Sequence, residues 1–187
     1  MVFSDSMSGR IKRNEVRRNI DTNKEDIVFK RYPGHTADEM AYYAAKPMQD
    51  VRPNRVIIIA GTNDISRDVD RGRTVNEYEV VENVMKIARK AKEVGAETIH
   101  MSAVIVRHGF QYRNPVARVN KLLEATCSSE GFIFMDQSEI SAAHISFDGV
   151  HLNFHGQTLL KMNILLCFQT FNPYISDFEQ DYDRALF

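Results

Sequence analysis

The chain has 187 residues, enough for one domain with a full hydrophobic core and too few for two ordinary domains. Its 24 basic and 25 acidic side chains nearly cancel, which excludes binding to nucleic acid or to a lipid surface through overall charge. The sequence has no apolar run long enough to span a membrane and no secretory signal pattern, so we expect an intracellular, cytoplasmic protein.

Apolar residues alternate along the chain between runs typical of buried strands and runs with helical spacing. The predicted elements are, in chain order, a first strand of barely four residues, a helix at about 9–20, a strand at 27–29, a helix at 36–48, a strand at 55–60, a helix at 74–94, a strand at 98–104, a helix at 114–129, a strand at 132–135 and a helix at 154–170. This alternation predicts an α/β fold with a mostly parallel sheet covered by helices on both faces.

Capping residues support two of these helix boundaries. Thr36 and Glu39 form a capping box that opens the second helix, and Gly95 follows the third helix as a C-terminal cap. Residues 1–187 are predicted to form a single domain, and because the first motif comes so early we expect a domain excised from a longer protein. Its last segment, 176–187, is acidic and aromatic and is expected to pack on the surface or fray.

Both cysteines, Cys127 and Cys167, lie in apolar stretches with helical spacing. Such positions favour free buried thiols over a disulfide framework. The cysteines therefore favour a reducing compartment.

Three polar motifs follow the first three predicted strands. Ser6 follows the first strand, Gly34 the second and Asn63 the third. In open parallel sheets the loops at the carboxyl ends of the strands meet where the strand order reverses, and ligands bind there. We therefore expect these three residues to converge on one crevice.

The pattern Asp148-Gly149-Val150-His151 supplies a candidate base and its carboxylate. A carboxylate three residues before a histidine can accept a hydrogen bond from Nδ1 and leave Nε2 to take a proton from a serine. Ser6 is the candidate nucleophile, although Ser4 and Ser8 compete for this role. Taken alone, the serines also fit helix caps or turns, and the Asp148 and His151 pair also fits a solvated loop.

Gly34 and the run Gly61-Thr62-Asn63-Asp64 supply candidate oxyanion donors. A glycine N–H can approach a substrate oxygen closely, and an Asn amide can donate to a developing oxyanion. Each also fits an ordinary turn. With Ser6, Asp148 and His151 they predict a serine esterase that works through an acyl-enzyme and needs no cofactor.

These motifs make the chain resemble an SGNH hydrolase, also called the GDSL esterase/lipase superfamily. The four matching sequence blocks are Ser4-Asp5-Ser6-Met7, Gly34, Gly61-Thr62-Asn63-Asp64 and Asp148-Gly149-Val150-His151. The resemblance implies a three-layer, flavodoxin-like fold with strand order 2-1-3-4-5. It also implies that Ser6 is the nucleophile and that the oxyanion hole is formed by the Ser6 N–H, the Gly34 N–H and the Asn63 amide. The first block departs from the family pattern, with Ser4 in place of Gly and Met7 in place of Leu.

The chain is also similar to the esterase domain in first-reading-frame proteins of LINE-type retrotransposons. That narrower similarity implies self-association through an upstream segment. The expected partners of this domain are small-molecule or lipid esters with acetyl or short-to-medium acyl groups, and nucleic acid is not expected to bind to it. Met7, Phe110 and Tyr112 are the candidate substrate-binding residues.

Other interpretations were weighed against the esterase. A metal site built from His144, Asp148, His151 and His155 is disfavoured, because ligation of His151 would leave Ser6 without a base. The basic face of the first helix is interpreted as solvated, since acidic residues are interleaved with it; its members are Arg10, Lys12, Arg13, Arg17 and Arg18. A flavodoxin-like module that binds phosphate through residues 4–9 remains a rival, as does an esterase fold used for binding or assembly.

Overall fold

A five-stranded parallel sheet forms the centre of the molecule. The computed structural model describes residues 1–9, 11–17 and 26–168. The strands are β1 Val2–Ser4, β2 Phe29–Arg31, β3 Arg55–Ile59, β4 Thr98–Ser102 and β5 Ile133–Met135. They are ordered β2-β1-β3-β4-β5, and every neighbouring pair is parallel. The expected α/β fold and strand order are confirmed.

Helices connect these strands. They are α1 Arg13–Arg17, α2 Ala37–Val51, α3 Thr62–Val69, α4 Glu77–Glu93, α5 Phe110–Glu130 and α6 Phe154–Leu166, with short 3₁₀ turns at Ser6–Ser8 and Ala142–His144. Four of the five predicted helices match α2, α4, α5 and α6 to within a few residues at each end. The predicted first helix is represented by a 3₁₀ turn and the short α1, and residue 10 and residues 18–25 lie outside the described part of the chain.

Helix α3 was not predicted, because Thr62, Asn63 and Asp64 are typical of turns. Gly61, the N-cap residue directly before α3, has a φ of +105°. A Cβ atom at this position would lie 2.8 Å from Cγ2 of Val104. Gly61 therefore lets the chain leave β3 and enter α3 in a space that a side chain would fill.

The predicted caps at the start of α2 and after the end of α4 are confirmed. At the start of α2, the Thr36 N–H donates to Glu39 Oε2 at 2.7 Å and the Glu39 N–H donates to Thr36 Oγ1 at 3.4 Å. After α4, Gly95 adopts a φ of +95° and its N–H donates to the Lys92 carbonyl at 3.0 Å. These caps satisfy backbone groups that helix ends leave without partners.

Side chains alternate along the strands between two hydrophobic cores. Phe3 of β1 and Ile58 of β3 face a core formed with helices α2, α4 and α5. Val2 and Ile57 face the opposite core, which is formed mainly with α6. Because successive strand residues point to opposite faces, the sheet is buried on both sides and the fold has three layers.

The structure describes both cysteines and part of the basic face that was predicted for the first helix. Cys127 and Cys167 are buried, and burial raises the pKa of each thiol to about 12. Arg13 and Arg17 both pair with Asp26, whose side chain is exposed, in agreement with a solvated face. Segment 176–187 lies outside the described residues. In the part of the chain that is described, none of the helices has the length and apolar character that crossing a membrane requires.

Candidate active site

The 3₁₀ turn after β1 carries Ser6 and shows which of the three neighbouring serines is accessible. Ser4 and Ser8 are fully buried, whereas Ser6 is partly exposed. The Ser4 hydroxyl donates to the Asp5 carbonyl at 3.0 Å, and the Ser8 Oγ is buried without a hydrogen-bond partner among the described residues. Ser6 is therefore the serine of this segment whose side chain reaches the surface.

Asp5 shapes this turn. Its Oδ1 accepts a hydrogen bond from the Met7 N–H at 2.9 Å, and its own N–H donates to the Ile59 carbonyl at 3.0 Å. The second bond ties the turn to the end of β3. As the first residue of the turn, Ser6 has an N–H that takes part in no bond within the turn, so this donor can serve another acceptor.

Burial dominates the electrostatics of Asp5. Loss of hydration raises the pKa of this fully buried carboxyl to about 6, while the Met7 N–H and then the positive charge of Arg107 act to lower it. Oδ2 has no hydrogen bond of normal geometry, although the nearby Thr62 hydroxyl also lowers the pKa slightly. The Asp5 carboxyl, next to Ser6, therefore has few polar contacts to replace the hydration that it loses on burial.

Asp148 and His151 form a preassembled pair. Asp148 Oδ2 lies 2.8 Å from His151 Nδ1, and Oδ1 accepts the N–H groups of Val150 and His151 at 2.9 Å each. The His151 backbone bond, the His151 ring and the Val150 N–H hold the pKa of Asp148 well below its usual range. Because an ionised carboxylate can only accept, Nδ1 carries a proton, and in the neutral ring Nε2 then has a free lone pair.

The segment with this pair is tied to the rest of the site. The Gly149 carbonyl accepts the His108 N–H at 3.0 Å, which links the segment to the chain after β4. On α6, Gln157 donates to the Met7 carbonyl at 2.7 Å and so connects the helix after His151 to the turn that carries Ser6. Ser6 Oγ and the His151 ring form no hydrogen bond in the described structure. Such bonds are often long without substrate.

The Asn63 amide is buried and has a defined orientation. Nδ2 donates to the His35 carbonyl at 2.8 Å, and Oδ1 accepts from Arg107 Nη2 at 2.7 Å. An amide nitrogen has two hydrogens, so one remains for another acceptor. The contact of Arg107 with Asn63 was not predicted from the sequence, because 44 positions separate the two residues and no local pattern relates them.

Gly34 lies beside this amide in the chain after β2. Its φ is +77°, a conformation that favours glycine, and a Cβ atom there would meet no protein atom within 4 Å. Its carbonyl accepts Arg67 Nη2 at 3.0 Å. The Gly34 N–H donates to no other described residue, which leaves it available to a ligand.

Asp64 holds the start of α3 against the start of α2. Its Oδ2 accepts the Ala37 N–H at 2.8 Å. Burial raises the pKa of Asp64 to about 6, against the lowering effect of this bond and of other contacts. Since Asn63 precedes Asp64, the same contact fixes the helix end that carries the amide.

The candidate substrate residues differ in their surroundings. Met7 was expected near the substrate, but its side chain is fully buried in the core shared with α6. Phe110 is 77% exposed at the start of α5, and the Tyr112 hydroxyl hydrogen-bonds to Asp70. Phe110 and Tyr112 are therefore placed to meet solvent near His108, whereas Met7 contributes to packing.

Two further features concern ligands. A cavity of about 500 Å³ with many apolar side chains lies at the carboxyl ends of β4 and β5, between Val104–Val106 and Ile140–Ala143. Within the described ranges, no three His, Cys, Asp or Glu side chains are grouped so that they could hold a metal ion. His144 instead accepts the Ser141 N–H at 3.0 Å through Nδ1.

The sequence matches the GDSL-like Lipase/Acylhydrolase family over residues 13–159. The matched range includes Gly34, Asn63, Asp148 and His151 and begins after Ser6. A search of curated proteins gives no significant match.

Solved structures of similar fold include several bacterial proteins. A lipase/acylhydrolase from Enterococcus faecalis is 16% identical with a TM-score of 0.71, covering 94% of this chain and 98% of that one. A putative acylhydrolase from Bacteroides fragilis is 17% identical with a TM-score of 0.71, at coverages of 90% and 85%. An acetylxylan esterase from Geobacillus stearothermophilus is 15% identical with a TM-score of 0.71, at coverages of 89% and 92%. At these identities the likeness establishes the shared fold.

Proposed function

Because the chain belongs to the GDSL-like lipase/acylhydrolase family, we propose that it hydrolyses carboxylic esters with Ser6 as nucleophile, His151 as base and Asp148 as its orienting carboxylate. The observation that carries the proposal is the 2.8 Å contact between Asp148 and His151 Nδ1. It leaves Nε2 free to act as a base, and among Ser4, Ser6 and Ser8 only Ser6 is accessible. A serine hydroxyl needs such a base at neutral pH.

In the proposed reaction, Ser6 Oγ attacks the ester carbonyl carbon while its proton passes to His151 Nε2. The tetrahedral intermediate collapses, the bond to the alcohol oxygen breaks, and the protonated histidine returns the proton to that oxygen. Water then loses a proton to His151 and attacks the acyl-enzyme. Collapse of the second intermediate releases the carboxylic acid and restores the Ser6 hydroxyl.

The proposed oxyanion hole consists of the Ser6 N–H, the Gly34 N–H and the Asn63 amide. All three donors lie in segments that follow neighbouring strands, β1, β2 and β3. Preorganised donors lower the barrier because they need not reorient when negative charge develops. Loss of one such donor typically reduces kcat by about 10²- to 10³-fold.

The proposed substrates are small-molecule esters with acetyl or short-to-medium acyl groups, and lipid esters form a second class to test. The exposed Phe110 and the half-buried Tyr112 support contact with part of the substrate. The cavity at the ends of β4 and β5 offers an apolar volume for an acyl chain. The acetylxylan esterase among the structural neighbours supports including acetyl esters in the panel.

The test compares p-nitrophenyl esters from acetate to decanoate with the wild-type chain, Ser6→Ala and Ser8→Ala. We expect Ser6→Ala to abolish turnover and labelling by a fluorophosphonate probe. Ser8→Ala is the matched control, because it removes a buried hydroxyl of the same turn that has no partner. Undiminished turnover by Ser6→Ala would contradict the proposal. If Ser8→Ala alone lost turnover, the nucleophile would be Ser8 and not Ser6.

No structural observation favours a phosphate-binding module at residues 4–9. That interpretation relied on the hydroxyl groups of the loop, and two of the three, those of Ser4 and Ser8, are buried. The fold could instead serve binding or assembly, including self-association through an upstream segment. The fluorophosphonate labelling experiment distinguishes such a role from esterase activity. A folded protein that the probe does not label would favour a binding role.

A further inference from the structure

The two ends of the Asn63 amide have nearly the same shape but opposite hydrogen-bonding character. If the group were rotated by 180°, a carbonyl oxygen instead of an N–H would face a developing oxyanion. Acceptor lone pairs would then repel the charge that the site must stabilise. The function proposed above therefore requires something in the structure to fix this orientation.

Two contacts of opposite type fix it. The His35 carbonyl can only accept, and it binds Asn63 Nδ2 at 2.8 Å. The Arg107 guanidinium can only donate, and its Nη2 binds Oδ1 at 2.7 Å. In the rotated amide, the Asn63 oxygen would face the His35 carbonyl, which is also an acceptor. The NH₂ group would face the Arg107 guanidinium, which is also a donor. Arg107 also brings a positive charge, which makes its hydrogen bond stronger than one from a neutral donor.

Arg107 and the residue after it also relate to other parts of the site. Its Nε is buried and has no hydrogen-bond partner in the described part of the chain. Its charge acts on the buried Asp5 carboxyl next to Ser6. The following residue, His108, donates its N–H to Gly149 between Asp148 and His151. The short segment after β4 thus contacts the Asn63 amide and the segment that carries Asp148 and His151, and its positive charge acts on Asp5 in the turn that carries Ser6.

We propose that Arg107 is a positioning residue of this site: it holds the Asn63 amide so that one N–H points to the oxyanion, and it polarises that amide toward the developing charge. This inference rests on the proposed function, in which Asn63 is an oxyanion donor. Arg107 acts through Asn63 and does not touch the reacting atoms. A donor bound to the amide oxygen increases the positive character of the amide N–H, as in other hydrogen-bonded chains.

The kinetic test is a double-mutant cycle on p-nitrophenyl acetate with Arg107→Ala, Asn63→Ala and the double variant. We expect Arg107→Ala to lower kcat by about 10- to 100-fold with little change in KM, and Asn63→Ala to lower it by about 10²- to 10³-fold. The double variant should match Asn63→Ala to within about threefold, because the arginine has no amide left to orient. Independent, multiplicative losses would overturn the inference.

Two further variants separate positioning from general stability. Arg107→Lys keeps the charge but loses the planar group, so we expect it to restore part of kcat. Arg118→Ala is the matched control, since it removes an exposed α5 guanidinium that pairs with Glu77. Its kcat should equal that of the wild type. Thermal unfolding of every variant shows which ones retain the fold.

A measurement without substrate separates this inference from the proposed function. The Asn63 side-chain amide gives a pair of proton–nitrogen signals, identified by their absence in Asn63→Ala. We expect Arg107→Ala to shift or broaden this pair and Arg118→Ala to leave it unchanged. An unchanged pair in a folded Arg107→Ala variant would overturn the inference, even in an active enzyme. Absence of Ser6-dependent turnover in the wild type would instead refute the proposed function and leave the NMR result to decide whether Arg107 orients the amide.

Discussion

At the scale of single residues, Asp148 has two structural tasks. One oxygen accepts two backbone N–H groups and shapes the segment, while the other accepts the ring proton of His151. These contacts involve residues no more than three positions away. The geometry of the pair therefore depends mainly on local hydrogen bonds, although both side chains are about half exposed.

Replacing Asp148 with Asn separates these tasks. The Asn oxygen can still accept the backbone bonds, but its NH₂ group faces Nδ1 and favours the tautomer with the proton on Nε2. That tautomer cannot take the Ser6 proton, so we expect kcat to fall by roughly 10²- to 10⁴-fold in Asp148→Asn. Steady-state kinetics on the preferred p-nitrophenyl ester measures the effect, and circular dichroism controls for the fold. A kcat within threefold of wild type would show that Asp148 does not set the tautomer.

At the scale of elements, the start of α3 controls where Asn63 lies. Gly61 combines a left-handed backbone conformation with a close approach to the chain after β4. Asp64 then binds the first N–H of α2. The amide is thus carried on a short helix whose first turn is held from two sides.

Gly61→Ala and Gly72→Ala test this arrangement as a matched pair. Both glycines have positive φ, but only at Gly61 would a Cβ atom meet a side chain, Val104, at 2.8 Å. We expect Gly72→Ala to cost about 1 kcal/mol of unfolding free energy through backbone strain. Gly61→Ala should cost about 2–5 kcal/mol, because crowding adds to the strain, and should also lower kcat by displacing Asn63.

Urea unfolding of the two variants gives the comparison. Equal losses of stability would show that the close approach to Val104 has no energetic weight. A folded Gly61→Ala variant with wild-type kcat would show that the start of α3 does not position the amide.

At the scale of the whole molecule, buried ionisable groups make the stability depend on pH in two opposite directions. Burial raises the pKa of Asp5 from 3.8 to about 6, so the fold favours the protonated acid. Burial and then the charge of Arg55 lower the pKa of His100 on β4 from 6.5 to about 4, so the fold favours the neutral ring. The Asp5 contribution to stability is present below pH 3.8 and is lost as pH rises through 6. The His100 contribution is present above pH 6.5 and is lost as pH falls through 4.

We therefore expect Asp5→Asn and His100→Gln to change the pH profile of stability with opposite signs. Relative to wild type, Asp5→Asn should gain unfolding free energy as pH rises from 4 to 7, by at most about 3 kcal/mol. His100→Gln should lose it over the same range by a similar amount. Asn can still accept the Met7 N–H, so the turn that carries Ser6 is preserved.

Urea unfolding at half-unit pH steps measures both profiles. Parallel curves for wild type and either variant would mean that the pKa of that group is the same in the folded and unfolded states. The paired design matters because the wild-type profile contains both effects, which partly cancel between pH 4 and 7.

Local information in the sequence was enough for most of the fold. The apolar patterns predicted strands β2 to β5 and helices α2, α4, α5 and α6, the early motif implied β1, and the capping box at Thr36 and Glu39 lies where it was predicted. The pairing of Asp148 with His151 was predictable for the same reason: the interacting groups are neighbours in the chain, so a short pattern contains the whole contact. Strand β2 begins two residues later than predicted, since a short apolar run does not define a strand boundary.

Only the tertiary structure decided the points that depend on burial or on distant contacts. Three serines within five residues have the same chemistry, and packing at the carboxyl end of β1 buries Ser4 and Ser8 but leaves Ser6 accessible. The same packing places Met7 in the core. Helix α3 forms despite turn-like residues because Gly61 fits against the chain after β4. Arg107 reaches Asn63 only because parallel β3 and β4 bring their following segments together, a contact between side chains 44 residues apart that no local pattern contains.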